Sequence, residues 1–273
     1  MPPDDLNAST AYRSQPSSAW SPNRHLVSRP EILVPDGTPY TEFFRFVGRQ
    51  LQPRAYFEIG THVGNSVSAF TCSAVCVDPQ FMLEKDVLTG RPETHFYQMP
   101  SDTFFANHNL RDIFNSGPDI CFLDGMHRSE FLLRDFINTE RLCHSRSIIF
   151  MHDCLPINAR MARRTHELGD ASEGLWQTAW TGDVWKIVPL LKKHRPDLKI
   201  LVLDCAPTGL VAVSNLDATS NVLSQYYVNL VDELRELDLD TYTVRRLWED
   251  NPVISSRSLI DNPEDLTMFL EIH

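Results

Sequence analysis

Apolar residues follow two spacings along this chain. Short apolar runs alternate with stretches of helical periodicity from about residue 40 to residue 215. Tyr40 to Leu51 carries Phe43, Phe44, Val47 and Leu51 at helical spacing, and Pro53 ends that helix. Ala55 to Ile59 is a run of β-formers that leads into a glycine turn, Gly60 to Gly64. Asn65 or Ser66 is placed to cap a helix through Val67, Ala69 and Phe70. Further strands are predicted at Ala74–Pro79, Thr94–Met99, Asp119–Gly125, Ser147–Cys154, Leu198–Asp204 and Leu210–Val213. The last two are close enough to form a hairpin, which makes the final strand antiparallel. Helices are predicted after Ser101, over Ser129–Cys143 and over Gly182–His194, with a kink or early break at Pro189. Such alternation predicts an α/β fold: a seven-stranded, mostly parallel sheet with helices on both faces.

Three regions depart from that rhythm. Residues 1–39 are rich in Ser, Pro, Asn and Arg, and read as an arm with Trp20 as its apolar anchor. Residues 155–181 read as an inserted, lid-like segment carrying Arg160, Arg163, Arg164, His166, Trp176 and Trp180. Residues 216–273 read as a helical extension. Its stripe of Tyr226, Tyr227, Leu230, Leu234 and Leu237 is expected to pack on the domain or on a second subunit, which leaves a homodimer open.

Charge narrows the partners. A formal net charge of -11 argues against a nucleic acid held mainly through its phosphates. No apolar run approaches the roughly 18 residues of a membrane span, and Met1 to Thr10 lacks the apolar core of a secretory signal. The six cysteines include no Cys-x-x-Cys pair and sit mainly in apolar runs, so buried thiols in a cytoplasmic protein are expected.

The glycine turn is the first candidate for chemistry, because glycine lets backbone approach a ligand closely. A dinucleotide fingerprint needs a second glycine two residues after the first; His62 stands there. Asp78 ends the second strand, roughly 20 residues after the turn, where an acid can accept both hydroxyls of a ribose or simply cap the next helix. Asp102 can reach an adenine amino group or serve as a plain helix cap. Asp124-Gly125-Met126-His127 ends the fourth strand and His152-Asp153 ends the fifth.

Those two strand ends, with the acidic Glu58 before Gly-x-x-x-Gly, resemble the class I S-adenosylmethionine (SAM) methyltransferases, in the macrocin O-methyltransferase and cephalosporin-hydroxylase-like group. The resemblance covers about Tyr40 to Asn215, and Trp180 to Trp185 (Trp-x-Gly-Asp-Val-Trp) belongs to it. It implies a Rossmann-like sheet with SAM as cofactor. Gly60, Thr61, Gly64 and Ser66 would line the methionine part, and Glu58 would support the turn. Asp78 would bind the ribose, and Asp124 would sit beside the sulfonium. Some relatives hold a divalent cation at the positions of Asp124, His152 and Asp153. His152 departs from the oxygen ligands usual there: magnesium prefers oxygen, whereas imidazole suits zinc, iron, nickel or copper.

The implied reaction is O-methylation of a small-molecule hydroxyl on a sugar, phenol or natural product. The enzyme must align donor and acceptor and remove a proton. A phenol lies roughly 5 kcal/mol from histidine in proton affinity. An aliphatic hydroxyl, with water as its stand-in, lies roughly 12 kcal/mol away and gains more from a metal. His127 is the first candidate base. His152 paired with Asp153, without metal, is the second. The arginines at 160, 163 and 164 can clamp an acidic acceptor or form a solvated helix face. The insertion and the arm are expected to close over the acceptor. An NAD-dependent oxidoreductase and a catalytically silent SAM-binding scaffold are the competing readings.

Overall fold

The computed structural model describes residues 22–27, 33–166 and 179–270. Eight strands form one sheet in the order β3-β2-β1-β4-β5-β7-β6-β8. They are β1 (Ala55–Ile59), β2 (Ser73–Val77), β3 (Thr94–Tyr97), β4 (Ile120–Leu123), β5 (Ile148–His152), β6 (Lys199–Leu203), β7 (Leu210–Ser214) and β8 (Val253–Ile254). Strand β7 runs antiparallel between β5 and β6; the other pairings are parallel. The fold is Rossmann-like α/β, with one strand more than the seven predicted. The extra strand, β8, lies in the C-terminal extension and is too short to leave a periodic signal.

Both faces of the central strands are covered, which is why β1, β4, β5 and β7 are buried along their whole length. Phe57, Val75, Cys121 and Ile149 look to one face, and Tyr56, Ala74, Phe122 and Phe150 to the other. Helix α1 (Tyr40–Leu51) packs Phe44 edge-on against Phe122 and Phe150 on the second face. Between β3 and β4 lie α2 (Ser101–Asn107) and α3 (Leu110–Phe114). On the first face sit α4 (Ser129–Glu140) and α5 (Ile187–His194). Pro189 falls in the first turn of α5, where its missing N–H costs nothing, so it kinks no helix. The chain ends in α6 (Val222–Gln225), α7 (Tyr227–Glu236), α8 (Leu239–Tyr242), α9 (Val244–Asp250), α10 (Ser256–Asp261) and α11 (Glu264–Leu270).

One sequence expectation fails next to β1. The helix predicted after the glycine turn is a single 3-10 turn, Val67–Ala69, and Ser66 makes no cap bond. Only 13 residues separate Ile59 from Ser73, and they must include the glycine turn. The Ser66 hydroxyl is drawn away from capping because it donates to the buried Glu58 carboxylate at 2.6 Å.

Register sets up the site. Ile59 pairs with both Val77 and Leu123, and Leu123 pairs with Met151. The parallel strands therefore end together, and Asp78, Asp124 and His152 fall along one edge. All six cysteines are free and buried. No helix among the described residues is long and apolar enough to cross a membrane. Trp20 and Trp176 lie outside the described residues.

Candidate active site

A cavity of about 540 Å³ opens at this edge. Gly60, Asp78, Asp102, Asp124, His127, His152 and Asp153 all line it. Glu58, Thr61, Gly64 and Ser66 do not. Glu58 is fully buried beneath the turn, where it accepts from the Tyr56 hydroxyl at 2.7 Å as well as from Ser66. Burial pushes its carboxyl up, while those two hydroxyls hold it back. Gly64 packs towards Val87, away from the cavity. Gly60 has φ +90°, and a side chain there would collide with the carbonyl oxygen of Asp124. Glycine at position 60 is thus what lets β1 and β4 end side by side.

Asp78 grips the same turn. Its two oxygens accept from the backbone N–H of His62 at 2.8 Å and of Gln80 at 2.7 Å. A carboxylate has about four acceptor sites, so this leaves lone pairs for a ligand.

Asp124, His127, His152 and Asp153 form one cluster. His127 Nε2 lies 3.3 Å from Asp124 and its Nδ1 lies 3.2 Å from Asp153. His152 Nδ1 lies 3.6 Å from Asp124 and 3.4 Å from Asp153. The Thr208 hydroxyl donates to Asp153, and Tyr40 packs its ring 4.3 Å from that of His152. His152 Nε2 is buried without a hydrogen-bond partner. Oxygen and nitrogen atoms of Asp124, His152 and Asp153 all lie within 4.8 Å of one another.

Electrostatics bind the cluster together. Burial opposes a charged His127, yet Asp124 and Asp153 outweigh it and push its pKa up to about 9. The same balance pushes His152 up to about 10. The Asp124 carboxyl, despite burial, is held well below the usual range by His152 and His127. Burial, then Asp124, Glu58 and Asp153, raises the Tyr40 phenol well above its ordinary value. Backbone strain marks the same place. His62, His127 and Asp153 line the cavity with φ of 44°, 52° and 61°, a left-handed conformation that non-glycine residues hold only when their surroundings insist.

The end of the inserted segment holds His127 in place. His127 Nδ1 donates to the Trp180 carbonyl at 2.9 Å, and the two rings stack 5.1 Å apart. Asp183 accepts from the Ser129 backbone N–H at 2.8 Å. Arg164 is exposed but not unpaired: it pairs with Glu130 at 2.5 Å and Asp183 at 2.7 Å. This fastens the segment to α4.

Sequence reasoning missed Tyr40, Thr208 and Asp135, which is buried and lines the cavity from α4. Asp135 carried a signal: an acid on the apolar face of α4, four residues after Phe131. Tyr40 and Thr208 carried none, since only the sheet brings them to β5.

No protein-family model matches the chain, and no curated protein matches it. Solved structures that resemble it include a methyltransferase from Podospora anserina bound to S-adenosylhomocysteine (SAH), at 15% identity. That match covers 65% of this chain and 78% of the other, with a TM-score of 0.46. An O-methyltransferase from Bacillus cereus in complex with SAH is 18% identical over 68% of this chain and 84% of its own, with a TM-score of 0.42. The O-methyltransferase TomG from Streptomyces achromogenes, in complex with SAM, is 12% identical over 65% and 80%, with a TM-score of 0.45. Function lives in sites rather than in folds.

Proposed function

We propose that this protein is a SAM-dependent methyltransferase acting on a small-molecule hydroxyl. The observation that carries this reading is the continuity of one cavity, with Asp78 and Gly60 on one wall and the Asp124–His127–His152–Asp153 cluster on another. Its volume falls in the range of small-molecule sites. Asp78 has acceptor capacity to spare for a ribose, and Gly60 lets backbone approach a ligand. The motifs at Asp124–His127 and His152–Asp153 support a place in the macrocin O-methyltransferase and cephalosporin-hydroxylase-like group.

SAM, when bound, supplies an electrophilic methyl group. The protein's task is alignment and proton removal. His127 is the base in its neutral form, which is populated as pH approaches its raised pKa of about 9: its Nδ1 donates to the Trp180 carbonyl, and its Nε2, 3.3 Å from Asp124, takes the acceptor's proton. Asp124 and Asp153 stabilise the imidazolium that results. Asp124, His152 and Asp153 suit a divalent cation in spacing and donor type, and the imidazole favours a nitrogen-tolerant ion such as zinc or iron. Such an ion would lower the pKa of a hydroxyl bound beside it.

Calorimetric titration with SAH, first in chelator and then with added divalent cation, tests the reading. Saturable binding that Asp78→Ala weakens strongly is expected. Folded protein that binds SAH in neither buffer would overturn it.

A further inference from the structure

The cavity has three walls, and two are accounted for by the proposed function. Asp78 faces the ribose, and the histidine–aspartate cluster faces the reacting atoms. The third wall is made by the starts of α2 and α4. It is apolar at Pro100, Met126 and Phe131, as a flat ring requires, and three polar side chains interrupt it: Ser101, Asp102 and Asp135.

Asp102 is already committed. Arg134 grips both of its oxygens, each at 2.6 Å, and the Asp102 side chain is 47% exposed. The same guanidinium lies 4.6 Å over the Phe131 ring and donates to the Tyr227 hydroxyl at 3.2 Å. Asp102 therefore braces α2 against α4 and α7 from the rim.

Asp135 is placed differently. It is 4% exposed, on the inward face of α4. Its Oδ2 lies 3.7 Å from where a side chain on Gly125 would begin, directly under the end of β4. A carboxyl group taken out of water is costly unless something hydrogen-bonds it; the nearby guanidinium of Arg134 is held by Asp102, and the Ser101 hydroxyl is the group beside Asp135. Otherwise Asp135 faces the cavity.

We infer that Asp135, and not Asp102, reads the adenine ring of the cofactor by accepting a hydrogen bond from its exocyclic amino group. This rests on the SAM reading. Burial pushes the Asp135 carboxyl up to about 7, although the Ser101 hydroxyl holds it back. Near neutrality it thus offers a carbonyl acceptor and, in part of the population, an O–H donor. That pair complements the amino group and the adjacent ring nitrogen of adenine.

The test is calorimetric titration, in chelator, of SAH and its analogue lacking the 6-amino group. The proteins are wild type, Asp135→Ala, Asp135→Asn and Asp102→Asn. Alanine suits a helix and removes a buried acid, so that variant should fold, which circular dichroism checks. Wild type should prefer SAH over the analogue by about tenfold, the worth of one hydrogen bond to a partly charged group. Asp135→Ala should bind SAH about tenfold more weakly and lose the preference. Asp135→Asn, which keeps a carbonyl acceptor, should retain it, as should Asp102→Asn. A full preference in Asp135→Ala, or its loss in Asp102→Asn, would overturn the inference. Wild-type protein that binds neither ligand would instead fell the cofactor reading beneath it.

Discussion

Two histidine–aspartate clusters, one buried and one half-buried, stand at opposite ends of this molecule's function. One ties residues 22–27 to the last helices. His25 Nδ1 lies 2.8 Å from the Ser258 hydroxyl, its Nε2 lies 2.7 Å from Asp265, and Arg24 pairs with the same carboxylate. Both ring nitrogens have partners, and a guanidinium is at hand. The other cluster, at the ends of β4 and β5, has two imidazoles and two carboxylates, with no arginine pairing to them among the described residues. One ring nitrogen there, His152 Nε2, is buried without a partner, and the cluster opens onto a cavity. A buried charge network that is closed on all sides acts as a fastening; one left incomplete beside a cavity is poised for a ligand.

That contrast can be broken experimentally. The largest expected effect is His127→Gln, which should slow methyl transfer about a thousandfold while the protein still folds. A loss of folding instead would make His127 a fastening like His25. Next comes pH dependence. The folded pKa of His127, about 9, lies above its ordinary 6.5. Its stabilisation is therefore complete below about pH 6.5 and is lost as pH rises through 9, by up to about 3 kcal/mol. Urea titrations in chelator should show that slope in wild type and a flatter one in His127→Gln.

The fastening should respond in the opposite way. Asp265→Ala should cost about 3 kcal/mol of stability, because it leaves a buried ring nitrogen of His25 without its carboxylate partner, and should leave SAH affinity unchanged. A weakened SAH affinity would mean that the two clusters communicate. The smallest effect concerns cations. A divalent ion at a hundredfold excess over its dissociation constant should stabilise wild type by about 2.7 kcal/mol. Asp124→Asn should abolish that gain, while Asp265→Ala should keep it. Equal gains in all three proteins would place the ion elsewhere.

Much of this was legible in residue order, and the failures have physical causes. Strand ends were readable because buried parallel strands are short continuous apolar runs, and the polar residues that stop them at Asp78, Asp124 and His152 stand out. Glu58 stood out in the same way, as an acid inside such a run, and it lies beneath the turn, where it accepts from Tyr56 and Ser66. Arg164 looked free in sequence because Glu130 and Asp183, its partners, are 34 and 19 residues away.

The order of strands along the chain, the glycine turn and the residues that end each strand follow from local chemistry: hydrophobic period, backbone freedom and the polarity of single side chains. Those properties belong to a residue and its neighbours, so the sequence by itself determined them. Which acid faces the cavity and which is spent on an arginine was decided only by tertiary structure. So was the clasp of Trp180 on His127, and the eighth strand beside β6. Each depends on parallel register and on contacts between distant segments, where burial and pairing, not residue type, set what a charged group can do.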